Sequence, residues 1–135
     1  MINRLLTSIY VNDLEISKKF YIDLLNLAPT FEADWIVQLA DPENEHVTLS
    51  LQPKHHELVP ENFKNAPQGF SITFVVEDCD KAYEKALSLG LEIIQTPKDE
   101  AYGQRRFLTT DPDGTLIDIS SPCEPSPEFI AKYFD

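Results

Sequence analysis

Two arginines and one aspartate flank a single turn: Arg105 and Arg106 in "QRRFLTT" (104–110), Asp118 in "TLIDISS" (115–121), with "DPDG" between them. A carboxylate set between two apolar strand residues has three uses. It ligates a metal, contacts a bound molecule, or pairs with a neighbouring cation. The "DPDG" stretch suits a type I turn, with Pro112 at its second position and Gly114 supplying a left-handed residue. If the hairpin carries a bulge, Arg106 and Leu108 share the Asp118 face; with a tighter loop it is Arg105 and Phe107. Either register leaves an arginine one diagonal step from the carboxylate, within reach of a long side chain. The plain outcome is a charge pair, and the functional one is that the same pair lines a pocket and orients a polar or cationic ligand.

The other chemistry-bearing residues are less organised. His46 sits at a strand entrance, and His55 and His56 are adjacent in a proline-rich segment, where they point apart if extended. A bound metal needs several well-placed ligands, so these histidines read as solvated, or as sites of adventitious nickel or zinc. Cys79 and Cys123 lack the spacing of a metal knuckle or redox motif. No Ser-His-Asp ordering and no phosphate loop is present.

Elements must position these groups. "RLLTSIYV" (4–11) reads as a strand. In "NDLEISKKFYIDLLNL" the period changes: Asn12 or Asp13 can cap a helix, Glu15 can close a capping box with Asn12, and Ile16, Phe20, Leu24 and Leu27 recur at helical spacing. "PTFEA", "DWIVQLA" and "EHVTLSLQ" follow as strands, so the first half reads βαβββ. The stretch "PKHHELVPENFKNAPQG" (53–69) carries three prolines and little periodicity, as a linker does. Then the order repeats. "GFSITFVVE" is a strand, and "DCDKAYEKALSLG" a helix capped by Asp78, with Ala82, Ala86 and Leu89 on one face and Gly90 as its stop. "LEIIQT", "RRFLTT" and "TLIDISS" supply three more strands. Val11 and Asp13 match Val76 and Asp78, and Asp41 and Pro42 match Asp111 and Pro112, so an internal duplication is the economical reading.

A doubled βαβββ unit, opened by "YVNDLEISKKFYIDLLNL" and closed by "YGQRRFLTTDPDGTLIDI", resembles the vicinal oxygen chelate superfamily. That superfamily includes glyoxalase I, extradiol dioxygenases, fosfomycin-resistance enzymes and the metal-free bleomycin-binding resistance proteins. The resemblance covers residues 3 to 122. It implies an α+β fold of two βαβββ modules, whose eight strands form a curved sheet, a cup, with helices on the convex side. The expected organisation is one domain: module one 3–53, linker 54–68, module two 69–122 and a tail 123–135.

In the family's metalloenzymes four cup-facing His, Glu or Gln side chains, from the first and last strands of each module, hold one divalent ion. Period-two alternation puts Thr48, Ser71 and Asp118 at three of those positions, with Leu49 replacing Thr48 if the first loop carries one more residue, and the resemblance, by its distance from "VND", implies Leu6 for the first-strand position. A hydrophobe, two hydroxyls and one carboxylate make a poor site for zinc, nickel, iron or manganese. The expectation is therefore no metal and no cofactor. Ser8, Tyr10 and Thr73 join the cup by parity, Trp35 and Phe107 are either core or stacking surfaces for a flat ligand, and "AYGQ" (101–104) is a loop or a rim.

The 135-residue chain carries a formal charge of −12, with 42% apolar and 25% charged residues. That charge repels nucleic acid and anionic lipid, and no apolar run is long enough to span a bilayer. A cytoplasmic protein is expected, since the N-terminus lacks the features of a signal peptide. The tail offers Phe129, Ile130 and Phe134 at roughly helical spacing, and a homodimer is expected, with this tail either capping its own cup or contacting the partner. The function expected is metal-free binding of a planar or amphipathic small molecule, with Asp118, Ser71, Thr48, Leu6, Trp35, Phe107, Arg105 and Arg106 as its contacts. The alternative is a metal-dependent lyase, isomerase or dioxygenase with an unusual ligand set, using Asp118, His46 and water.

Overall fold

The computed structural model describes residues 1–134. The chain forms two compact units: Met1–Gly69 together with Pro112–Gly114, and the rest of the described residues from Phe70 on.

In the first unit β1 (Ser8–Val11), α1 (Leu14–Leu25), β2 (Ala28–Ala33), β3 (Ile36–Asp41) and β4 (Asn44–Pro53) make a four-stranded sheet in the order β1-β4-β3-β2. β1 runs parallel to β4, and the other pairs are antiparallel. Asp13 caps α1 by accepting the Ile16 N–H at 3.1 Å, a bond that is typically worth ~1 kcal/mol. At the other end Asn26 adopts φ 56° and returns its N–H to Ile22, a left-handed stop that asparagine tolerates. The helix buries Ser17, Phe20, Tyr21 and Leu24 against β3 and β4, where Leu39, Leu49 and Leu51 complete the core.

Three expectations change here. Ile16 is exposed, because the buried stripe is centred on Ser17 and Tyr21. The first strand begins at Ser8, not at residue 4, so Leu6 precedes it and is 45% exposed. Trp35 lies in the β2–β3 turn, just ahead of the strand it was expected to begin. The proline-rich linker contains one 3-10 turn, Glu61–Phe63.

The second unit repeats the plan with β5 (Ser71–Val75), α2 (Cys79–Ser88), β6 (Ile93–Glu100), β7 (Gln104–Thr110) and β8 (Leu116–Pro122), in the order β5-β8-β7-β6. β5 runs parallel to β8, as β1 does to β4. Identical strand order and identical parallel pairing are what a duplicated βαβββ unit requires, and the fold is α+β. Asp78 caps α2 by accepting the Lys81 N–H, and Gly90 at φ +72° ends it. Leu89 is exposed, whereas Ala86 of the expected face is buried, together with Cys79.

β6 extends beyond its expected end at Thr96, through Pro97 to Glu100. It is an edge strand whose pairing with β7 shifts between Gln95 and Lys98, and edges and bulges are where a strand accepts proline. A third helix, α3 (Pro127–Tyr133), starts from a Ser126 cap. Among the described residues no helix is long and apolar enough to cross a membrane.

Candidate functional site

Asp118 sits in β8 opposite Leu108 of β7 and Thr73 of β5. Alternation places Ser71, Thr73, Arg106, Leu108, Asp118 and Ser120 on one face of this sheet. Arg105, Phe107, Ile117 and Ile119 fall on the other, which α2 covers. There Phe107 is fully buried, its ring 5.4 Å from Tyr83 and edge-on to it, and the Cys79 N–H donates to Ser121 Oγ at 3.2 Å. Arg105 reaches Asp80 of α2 at 3.1 Å and Asp99 of β6 at 3.0 Å.

The residues Asp111–Thr115 close the hairpin, since Thr110 and Leu116 are still paired. Asp111 Oδ1 accepts the Thr115 N–H at 2.9 Å, and Gly114 takes φ +85°. Of the two registers open at the sequence level, this loop selects the one that aligns Arg106, not Arg105, with Asp118.

Arg106 Nη1 donates to Asp118 Oδ2 at 3.1 Å, while Nε and Nη2 both reach Glu100 Oε2 at 3.0 Å. Thr73 Oγ1 adds a longer bond to Asp118 Oδ2 at 3.4 Å. Asp118 is only 8% exposed, and a carboxylate so desolvated needs a cation and hydrogen bonds to stay charged. Burial works against the Arg106 charge and the bond to Asp118 favours it, with a net rise of the guanidinium above its ordinary value. Lys98 Nζ lies 3.4 Å from Glu100 Oε1, so two carboxylates and two cations share this stretch of sheet. Asp118 Oδ1 is buried and has no hydrogen-bond partner among the described residues.

Sequence reading misses Glu100 and Lys98 on this face because the strand is ended at Thr96, before Pro97, and leaves Gln95, which lies inside that strand, unassigned to the site. The available signal was parity: once the strand is carried past Pro97, Lys98 and Glu100 fall opposite Arg106 and Gln104.

The remaining expected contacts are in the first unit. Thr48 pairs with Ala40 on the face of β4 that alternates with buried Leu49 and Leu51. It borders a cavity of about 860 Å³ together with Arg4, Leu5, Thr7, Thr30 and His46. Trp35 has its ring centroid 6.3 Å from that of His56.

The metal implied by the family resemblance does not fit these residues. Leu6 offers no donor, Thr48 and Ser71 offer neutral hydroxyls, and the carboxylate of Asp118 is engaged by Arg106. Among the described residues no group of three or more His, Cys, Asp and Glu side chains is placed to hold an ion.

Comparison with known proteins gives a consistent picture. The uncharacterized protein YraH of Bacillus subtilis is 31% identical over 115 residues, spanning 81% of this chain and 90% of its own. A superfamily member from Sphaerobacter thermophilus superposes with a TM-score of 0.76 at 21% identity, covering 90% of this chain and 98% of its own. A lactoylglutathione lyase from Agrobacterium tumefaciens does so with a TM-score of 0.68 at 16% identity, covering 89% and 94%. These two structural likenesses show the fold alone. The family model for the Glyoxalase/Bleomycin resistance protein/Dioxygenase superfamily matches residues 2–119, and with the duplicated βαβββ plan this chain belongs to that superfamily.

Proposed function

We propose that this protein binds a small molecule without a resident metal, and that the polar centre of its site is the Asp118–Arg106 pair. One observation carries the reading. Asp118 is buried and charge-paired through Oδ2, yet its other oxygen is left without a partner. Buried carboxylate oxygens are normally hydrogen-bonded, so a free one on the sheet face turned away from α2 suits a ligand's donor. Arg106 fixes the carboxylate's orientation, and Ser71 and Thr73 supply exposed hydroxyls beside it. Leu108 gives apolar contact. Ligand sites of this kind combine an apolar wall with a few fixed polar groups. Phe107 and Arg105 are engaged on the α2 side and take no part.

The test is a thermal-shift screen of small planar and amphipathic molecules, run with and without a chelator on wild-type protein and Asp118→Ala. Binders should raise the melting temperature equally in both buffers and lose about tenfold or more in affinity in the variant. A stoichiometric ion held by Asp118, or binding that requires added metal, would move the protein to the enzyme reading, a metal-dependent lyase, isomerase or dioxygenase.

A further inference from the structure

We infer that the bound molecule presents a neutral donor–acceptor edge, as a carboxamide, lactam or urea does, to Asp118 and Gln95. This rests on the binder reading and names the chemistry it would recognise.

The register lines up Gln95, Leu108, Asp118 and Thr73 across β6, β7, β8 and β5, so their side chains share one face. In this row two buried polar atoms lack any partner among the described residues: Asp118 Oδ1, an acceptor, and Gln95 Nε2, a donor. Leu108 stands between them. Asp118 and Gln95 are thus two strand spacings apart, roughly 9.6 Å at the backbone, a span that two side chains and one small planar group lying over Leu108 would bridge with hydrogen bonds of about 2.9 Å. Pairing shifts occur on both sides of Gln95, between Ile93 and Gln95 and between Gln95 and Lys98. Such irregularities re-aim the residues beside them.

Charge narrows the choice further. Asp118 and Glu100 are offset by Arg106 and Lys98 on the same face, so the surroundings of the row have no net charge to attract an ion. A carboxylate would meet the lone pairs of Asp118 Oδ1. An amidinium or ammonium would satisfy that oxygen but offers nothing to the Gln95 donor. A neutral group with an N–H beside a carbonyl serves both atoms.

Four probes of the same shape separate these cases by ligand-observed NMR: benzamide, benzoate, benzamidinium and acetophenone. Benzamide should bind at least about tenfold tighter than the other three, the scale of one satisfied buried bond. Gln95→Leu should weaken benzamide and acetophenone alike, since the carbonyl of each accepts from Gln95, and should abolish the preference of benzamide over benzamidinium; it should melt at or above the wild type because it removes an unpaired buried amide nitrogen. Should Gln95→Leu fold poorly, Gln95→Met makes the same deletion in an unbranched chain.

Benzamide binding no tighter than acetophenone, with both weakened by Asp118→Ala, overturns the amide inference and leaves the binder reading standing. Tightest binding of benzamidinium or benzoate overturns it too, as does an experimental ligand-free structure with Gln95 Nε2 bonded directly to Asp118 Oδ1. If none of the four binds at millimolar concentration, both readings fall.

Discussion

The Arg106 guanidinium holds two carboxylates at once, Asp118 and Glu100, all three side chains being at most one-quarter exposed. Removing the cation leaves two buried like charges facing each other, which is worse than removing the whole pair. Arg106→Ala should therefore cost about 3 kcal/mol or more, and Arg106→Ala with Asp118→Ala less than the sum of the two single changes. Urea denaturation of the four proteins of this cycle measures it; strict additivity would sink the coupling. The cysteines follow the same logic of burial. Burial, then the Asp80 carboxylate, push the Cys79 thiol above its ordinary value, and Cys79 is buried where Cys123 is half-exposed. Iodoacetamide should label Cys123 well before Cys79 in native protein, and both alike in urea. Because the folded-state value of Cys79 is raised, its contribution to stability is complete below the unfolded value and is lost as pH climbs through the folded one. At this scale the sequence disclosed that an arginine meets Asp118 but left open which one. Two adjacent arginines differ only in parity, and parity depends on a loop whose length is visible only in the fold.

At the level of elements, Asp113 fastens the start of α1. Asp113 Oδ1 accepts the Asn12 N–H at 2.9 Å and Asp113 Oδ2 the Ser17 hydroxyl at 3.2 Å, within the first compact unit. Ser17 is fully buried, so its hydroxyl has no water to fall back on. Asp113→Ala should cost about 1–3 kcal/mol and Asp113→Asn less, as the denaturant midpoint will show. A loss no larger than that of an exposed surface aspartate would remove this role. Strands, helices and both N-caps were legible, because alternation, 3.6-residue spacing and cap chemistry act over a few residues. What was not legible depended on partners distant in sequence. Ser17 bonds to Asp113, 96 residues away; Pro97 stays in a strand because β6 is an edge; and Lys98 and Glu100 join the site only as a result.

For the molecule as a whole, superfamily membership fixes the fold and leaves the chemistry to the residues grafted on it. On the binder reading proposed above, the native state has no resident ion to lose. A chelator should leave the melting temperature unchanged, whereas a structural metal would register as a drop of many degrees. Assembly is the remaining question at this scale, and we propose a homodimer built on α3. The helix leaves Ile130, Tyr133 and Phe134 exposed, beside a recess of about 630 Å³ lined by Pro125, Pro127, Ile130 and Ala131. Apolar side chains gathered at one place on a highly charged chain are better explained by a covering surface than by solubility. Each copy carries a formal −12, so two copies repel at long range while the apolar contact acts only at short range. Salt screens the first and leaves the second. Sedimentation velocity at micromolar protein should therefore show a dimer that tightens as ionic strength rises, and truncation before Pro127 should convert it to monomer without lowering the melting temperature of the remainder by more than a few degrees. A monomer at micromolar concentration in high salt would remove the dimer, and dissociation on adding salt would show that charge, not the apolar face of α3, holds the copies together.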